Sequence, residues 1–203
     1  MLTADDPLPR MPRRVLVAGV TGSGKTTLSR RIGDLWGLRH VEIDALFHGP
    51  NWTPRSEFLD DVRAFAAEER WVTEWQYTSK GTDEILAPRA DLAIWLDYPY
   101  RVVRARLLRR TLSRSILRTR MWNGNVEKPI WRMFRGDPEE NILLWQTNTL
   151  HKWAERMPQV SERFPHLEIV RLRHPRETER WLRAQTAASG VSTAPPKRRS
   201  RDR

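Results

Sequence analysis

A three-layer α/β/α domain around a five-stranded parallel sheet is the fold this sequence predicts. Short apolar segments alternate with amphipathic helical ones, and the first apolar segment runs straight into a glycine-rich turn and a helix. Arg14 to Ala18 (RVLVA) reads as a buried strand, and Leu28, Ile32, Leu35 and Trp36 mark one face of the helix that follows, stopped by Gly37. His40 to Ile43 reads as the second strand and DALFHGPNWTP as a loop. Thr53 then stands as an N-cap with Pro54 at the first helical position, and Phe58, Val62, Phe65 and Ala66 form the buried face of that helix. Trp71 to Glu74 and Leu92 to Leu96 are strands three and four. After Pro99 a long helix carries an arginine run and ends near Trp122-Asn123-Gly124-Asn125, where Asn-Gly favours a tight turn. Asp137, Pro138 and Glu140 resemble a capping box opening a further helix, with Ile142, Trp145, Trp153 and Met157 on one face. Leu167 to Leu172 is the fifth strand and Arg176 to Ala184 the closing helix.

The 203 residues suffice for one domain of ordinary size, and 39% hydrophobic with 30% charged residues is the balance of a globular chain. The longest apolar runs, Val15 to Val20 and Leu92 to Leu96, fall far short of the roughly 18 to 20 residues that cross a bilayer. Asp5 and Asp6 stand where a secretory leader carries its basic region, so a cytoplasmic location is expected, with no membrane partner. The absence of cysteine excludes disulfides, thiolate catalysis and cysteine-held metals. The five histidines show no ligand spacing, so no metal is expected beyond one carried by a nucleotide.

The net charge of +11 has two sources. Residues 101 to 120 contain eight Arg and no other charged residue, and residues 187 to 203 hold five basic residues and one acid. The division expected is a flexible segment 1–12, a domain 13–186 with a helical lid at about 104–135, and a disordered basic tail 187–203. The tail reads either as a solvated terminus or as an electrostatic arm for nucleic acid.

Gly19-Val20-Thr21-Gly22-Ser23-Gly24-Lys25-Thr26 fits the P-loop pattern between a strand and a helix. Gly19, Thr21, Gly22, Ser23 and Gly24 let successive N–H groups face an anion, and the helix N-terminus adds partial positive charge. Lys25 is placed to bridge the β and γ phosphates of ATP, Thr26 to hold Mg²⁺, and Thr27 to reach the α phosphate. The one Asp-x-x-Gly, Asp34 to Gly37, falls on the first helix, which argues against a GTPase.

Asp44 and Glu74 close strands two and three at the carboxyl edge of the sheet, where ligands of such folds bind. Glu74 is the candidate for holding Mg²⁺ through water. Asp44 either takes a proton from an attacking hydroxyl or holds the acceptor. Arg106, Arg110, Arg114 and Arg118 recur every fourth residue, opposite Ala105, Leu108, Leu112 and Ile116, so the expected helix packs the second face and presents the first. Guanidinium forks clamp phosphates and stabilise a transferring phosphoryl group; a solvated cationic face and a nucleic-acid contact are the other readings of the same stripe. Trp52, Trp75, Tyr77 and Trp122 fall on loops or strand ends, where they either stack on a planar acceptor or cover the core.

The segments GVTGSGKTTLSRRIG, EIDALFHGPNWTP, WVTEWQY, RADLAIWLDYP, WNGN and VRLRHPRETERWL, spread over residues 13 to 185, resemble the adenylate-kinase-like P-loop proteins called DNA topology modulation proteins. The resemblance implies a nucleoside-monophosphate-kinase fold with strand order 2-3-1-4-5, ATP on the P-loop, an Arg-rich helical lid, and an adenine bordered by Arg173 to Pro175. Many relatives carry Asp-Gly-Asn-Tyr where this chain has Glu74-Trp75-Gln76-Tyr77. The expected function is an ATP- and Mg²⁺-dependent phosphotransferase in which Lys25, Asp44, Arg106 and Arg110 are catalytic, Arg109, Arg114 and Arg173 help hold the nucleotide, and the acceptor is a small molecule. An ATP-binding regulator that contacts nucleic acid is the alternative.

Overall fold

In the computed structural model, residues 1–117, 123, 125 and 152–188 are described, without the side chains of 114–117. The expectations for Trp122, for the helix start at 137–140, for Ile142 and Trp145 and for residues 189–203 lie outside the described residues, as do most of the lid beyond 117 and the side chains of Arg114, Ile116 and Arg118.

Five parallel strands stand in the order β2-β3-β1-β4-β5: β1 (Arg14–Gly19), β2 (Arg39–Val41), β3 (Trp71–Glu74), β4 (Leu92–Leu96) and β5 (Glu168–Leu172). The central strands are buried on both faces, which is why β1 and β4 read as unbroken apolar runs rather than alternating ones. Alternation instead decides which layer each residue joins. Leu16, Ala18, Trp71, Ala93, Trp95 and Ile169 face α3 (Phe58–Ala66), α4 (Thr82–Leu86) and α6 (Lys152–Arg163). Val15, Val17, Val72, Ile94, Val170 and Leu172 face α1 (Lys25–Trp36), α5 (Tyr100–Leu117) and α7 (Pro175–Ala188), where Trp36 and Trp181 meet edge to face at 5.8 Å.

Several elements differ from expectation. The loop after β2 opens with a short helix α2 (Ile43–Phe47). The next helix starts at Phe58 rather than Pro54, because Thr53 spends its hydroxyl on the Pro50 carbonyl at 2.6 Å and its own carbonyl on the Gly49 N–H at 2.7 Å, closing a turn at Pro50–Trp52. The faces of α5 are also reassigned. Val103, Leu107 and Thr111 are buried, whereas Ala105, Leu108 and Leu112 are exposed. Trp75 is fully buried; its N–H extends the ladder to the Val17 carbonyl at 2.8 Å, which carries the indole to the same face as Trp71. There it packs on Trp153, and its ring N–H donates to Asp83 at 2.7 Å, so this tryptophan covers the core.

The N-terminal segment, expected to be flexible, is tied to the sheet. Leu2 bridges β5, donating to Ile169 O at 2.7 Å and accepting from Arg171 N at 2.9 Å, while Asp5 pairs with Arg180 on α7 and Ala4 is buried. Among the described residues no helix is long and apolar enough to cross a membrane.

Candidate active site

The turn between β1 and α1 wraps through Gly19, Gly22 and Gly24, whose φ angles are 150°, 86° and 99°. Two of these glycines are required in place. A Cβ on Gly19 would stand 2.7 Å from Ser23 Oγ and 3.1 Å from Leu96, and Gly24 occupies a left-handed conformation at the start of α1. The buried Ser23 Oγ meets no hydrogen-bond partner among the described residues, and the first N–H groups of α1 have no partners within their helix. The backbone and the unmatched hydroxyl therefore fit a bound polyphosphate.

Lys25, at the first position of α1, is buried and donates to Gly19 O at 2.9 Å and Val20 O at 3.3 Å. Burial pushes its ammonium down to about 8, with the Arg110 charge adding to the fall and the charges of Asp44 and Glu74 opposing it. The lysine, both carboxylates and Arg110 thus share one electrostatic neighbourhood. Thr26 is half-buried, as is Thr21, and Thr27 is exposed.

α5 crosses above the loop. Arg106 Nη1 donates to the Ser23 carbonyl at 3.1 Å and lies over the Tyr98 ring at 5.4 Å, and the Tyr98 hydroxyl pairs with Thr178. Arg106 therefore reaches the P-loop, and the charge of half-buried Arg110, one turn further on, is felt at Lys25. Arg109 is exposed, and Arg173, also exposed, follows β5 with its backbone N–H donated to Glu177 at 2.8 Å.

The two carboxylates have different surroundings. Glu74, at the end of β3, is buried, with Oε1 3.0 Å from His40 Nε2 and Oε2 accepting the Ile43 N–H at 3.3 Å. Each oxygen keeps a further lone pair, so the carboxylate retains acceptor capacity for a metal or a metal-bound water. Asp44, in the first turn of α2, accepts at Oδ1 from Gln76 Nε2 at 3.2 Å and from the Tyr77 hydroxyl at 2.7 Å. Tyr77 also meets His48 Nε2 at 3.1 Å and stacks on Phe47 at 4.2 Å. Burial, followed by the Asp44 charge, raises the phenol far above its ordinary range. Burial lowers His48, opposed by the Asp44 charge and a hydrogen bond with the Trp52 backbone. Trp52 is half-buried, its ring edge-on to His48.

His48, Gln76, Asn123 and Asn125 were not identified as site residues from sequence. The signal available was that the EIDALFHGPNWTP and WNGN segments both carry the resemblance, and residues of the two meet. Asn123 Nδ2 donates to His48 O, Asn125 Nδ2 donates to Gly49 O at 2.9 Å, and Trp52 N donates to Asn125 Oδ1 at 3.2 Å.

Sheet order and glycine-rich loop together define a three-layer α/β/α fold of the P-loop kinase type. No family model matches the chain. It is similar to a cytidylate kinase of Pyrococcus horikoshii, 29% identical over 115 residues, covering 51% of this chain and 60% of that protein, and to a cytidylate kinase of Pyrococcus furiosus, 31% identical over 109 residues, covering 47% and 56%. The chain thus spans less than two thirds of the length of these curated relatives. Among solved structures, shikimate kinase from Acinetobacter baumannii superposes with a TM-score of 0.50 at 14% identity, covering 90% of this chain and 96% of that one, a likeness of fold.

Proposed function

We propose that the protein is an ATP-dependent phosphotransferase, a small kinase that moves the γ-phosphoryl group of ATP to a small, nucleotide-type or hydroxyl-bearing acceptor. The observation that carries this reading is the contact of Arg106 with the P-loop that holds Lys25, with the Arg110 charge in electrostatic range of the same lysine. A solvated or nucleic-acid-binding face would turn these side chains away from the loop. The cytidylate kinase likeness supports the same reaction class, and the motif resemblance to DNA topology modulation proteins supports a place beside them.

ATP would supply the phosphoryl group, and the Mg²⁺ bound with it would supply neutralisation of phosphate charge. The amides of residues 21 to 26 and the N-terminus of α1 hold the phosphate oxygens. Lys25 would exchange the Gly19 and Val20 carbonyls for phosphate oxygens, whose negative charge favours its ammonium form. Thr26 and Glu74 are the residues that would hold the metal, Thr26 through its hydroxyl and Glu74 through water. Arg106 and Arg110 stabilise charge at the transferring group, with Arg109, Arg114 and Arg173 aiding nucleotide binding, and closure of α5 over the loop excludes water and favours transfer over hydrolysis. Asp44 orients the acceptor and takes its proton.

The test is transfer of labelled γ-phosphate to a panel of nucleoside monophosphates, nucleosides and small polyols, beside Lys25→Ala. A labelled product lost in the variant supports the reading. ATP binding without any product, together with salt-sensitive DNA binding, would overturn it in favour of a nucleic-acid-contacting regulator.

A further inference from the structure

The Asp44 carboxylate is held from a distance. Gln76 and Tyr77 both donate to Oδ1, which fixes the rotation of the carboxylate and so the direction of Oδ2. A phenol has one proton; Tyr77 gives it to Asp44, and with its pKa raised by burial and by that same carboxylate it keeps it. The contact at 3.1 Å therefore has His48 Nε2–H as donor and the phenolic oxygen as acceptor, a directed chain from His48 through Tyr77 to Asp44. Tyr77 stands in a left-handed conformation, φ 57°, wedged between Phe47 and Phe58.

The loop bearing His48 is itself unusual. Asn51 and Trp52 are both left-handed, φ 57° and 61°, and two successive non-glycine residues hold such angles only where their surroundings enforce them. Here the enforcement is visible. The buried Asn125 amide uses both ends on this loop, giving Nδ2–H to Gly49 O and taking the Trp52 N–H at Oδ1, while Asn123 takes the His48 carbonyl. These bonds join residues more than seventy positions apart in sequence, and the clamp lies in chain order directly after the arginine helix.

We propose that Asn125, with Asn123, is a positioning residue for Asp44, acting through the 48–52 loop, His48 and Tyr77, so that the segment following the arginine helix sets the aim of the acceptor-side carboxylate. The proposal rests on the reading of Asp44 as the group that meets the acceptor.

The experiment compares Asn125→Ala, the isosteric Asn125→Asp, Tyr77→Phe and the double variant Asn125→Ala/Tyr77→Phe in the full chain. Asn125→Asp keeps an acceptor for the Trp52 N–H but turns an oxygen on the Gly49 carbonyl, so it tests the clamp where the alanine variant folds poorly. Each single change is expected to lower kcat roughly tenfold with the KM for ATP within about twofold, and the double variant to be no slower than the worse single, because both break one chain. His48→Gln, which keeps a donor near Nε2, is expected to retain more activity than His48→Ala. Losses that multiply in the double variant, or an ATP KM that moves as far as kcat, overturn the proposal. Hydrogen exchange gives a reading independent of turnover. In Asn125→Ala the amides of 48–52 and of 76–77 are expected to exchange faster together, and acceleration confined to 48–52 overturns the coupling. Transfer that survives Lys25→Ala overturns the phosphotransferase reading itself; transfer abolished by Lys25→Ala but unchanged in the Asn125 and Tyr77 variants overturns this inference alone.

Discussion

The two halves of the proposed site, the phosphate side around the P-loop and the acceptor side around Asp44, are built by different means. On the phosphate side, residues 19 to 25 form one continuous turn whose glycine conformations, buried lysine and helix N-terminus follow from local backbone geometry, and one remote side chain, Arg106, bonds to its Ser23 carbonyl. On the acceptor side, Asp44 is held by Gln76 and Tyr77, Tyr77 meets His48, and the His48 loop is held by Asn123 and Asn125. The first region is specified by neighbours in sequence, the second by side chains that follow β3 and by others from beyond α5. The difference teaches that nucleotide binding should survive damage that ruins acceptor positioning, while damage to the turn removes both.

The largest expected effect is at the turn. Lys25→Ala is predicted to lower phosphoryl transfer by about 10² to 10³-fold, the scale of losing one preorganised donor to a developing charge. Its thermal unfolding should be no lower than that of the parent, because a buried cation is removed with it. Asp44→Asn, of equal size, is expected to reduce kcat about 10²-fold and to leave the Kd for ATP nearly unchanged by calorimetry. A matching loss of ATP affinity would break the separation between the two sides. Arg106→Ala removes the bond to Ser23 O and the contact with Tyr98 along with a charge at the transferring group, and roughly a tenfold fall in kcat/KM for ATP is expected from initial rates.

The smallest effect is a pH dependence. Lys25 in the folded chain loses its proton near 8, against 10.5 for an ordinary lysine. Between those values the unfolded state binds more protons, so the penalty for burying the ammonium is present in full below about 8 and is relieved as pH rises towards 10.5, and stability rises through that window. ATP binding has the opposite sign. Phosphate oxygens favour the charged lysine, so affinity is expected to weaken above pH 8, with proton uptake that calorimetry in buffers of different ionisation enthalpy measures directly.

The same division explains what was legible in the sequence. The strands and the loop 19–26 could be read, because strand length, apolar runs and glycine spacing are local signals, whereas the strand order came only with the resemblance. The packed face of α5 could not, since Val102, Val103 and Leu107 compete with Leu108 and Leu112 for the inward side, and the choice is made by the sheet and α7. Leu107→Ala is therefore expected to destabilise by about 2 to 5 kcal/mol in denaturant unfolding, while Leu108→Ala stays within about 0.5 kcal/mol. Trp75 was readable in principle from its two-residue period with Trp71, yet its position past the strand's last expected residue suggested a loop. Asn125 carries no periodicity and no motif chemistry, and its role is visible only once the chain has brought it to Gly49 and Trp52.

The pairing of Leu2 with β5 has a consequence for how molecules of this protein meet one another. β5 is an outer strand, and its free side presents unpaired N–H and C=O groups of the kind that recruit a strand from a second molecule. Leu2 occupies one donor and one acceptor there, so the first residues should act as a plug against edge-to-edge association, and chains shortened past Thr3 should show an apparent mass by light scattering that rises with concentration where the full chain's stays constant.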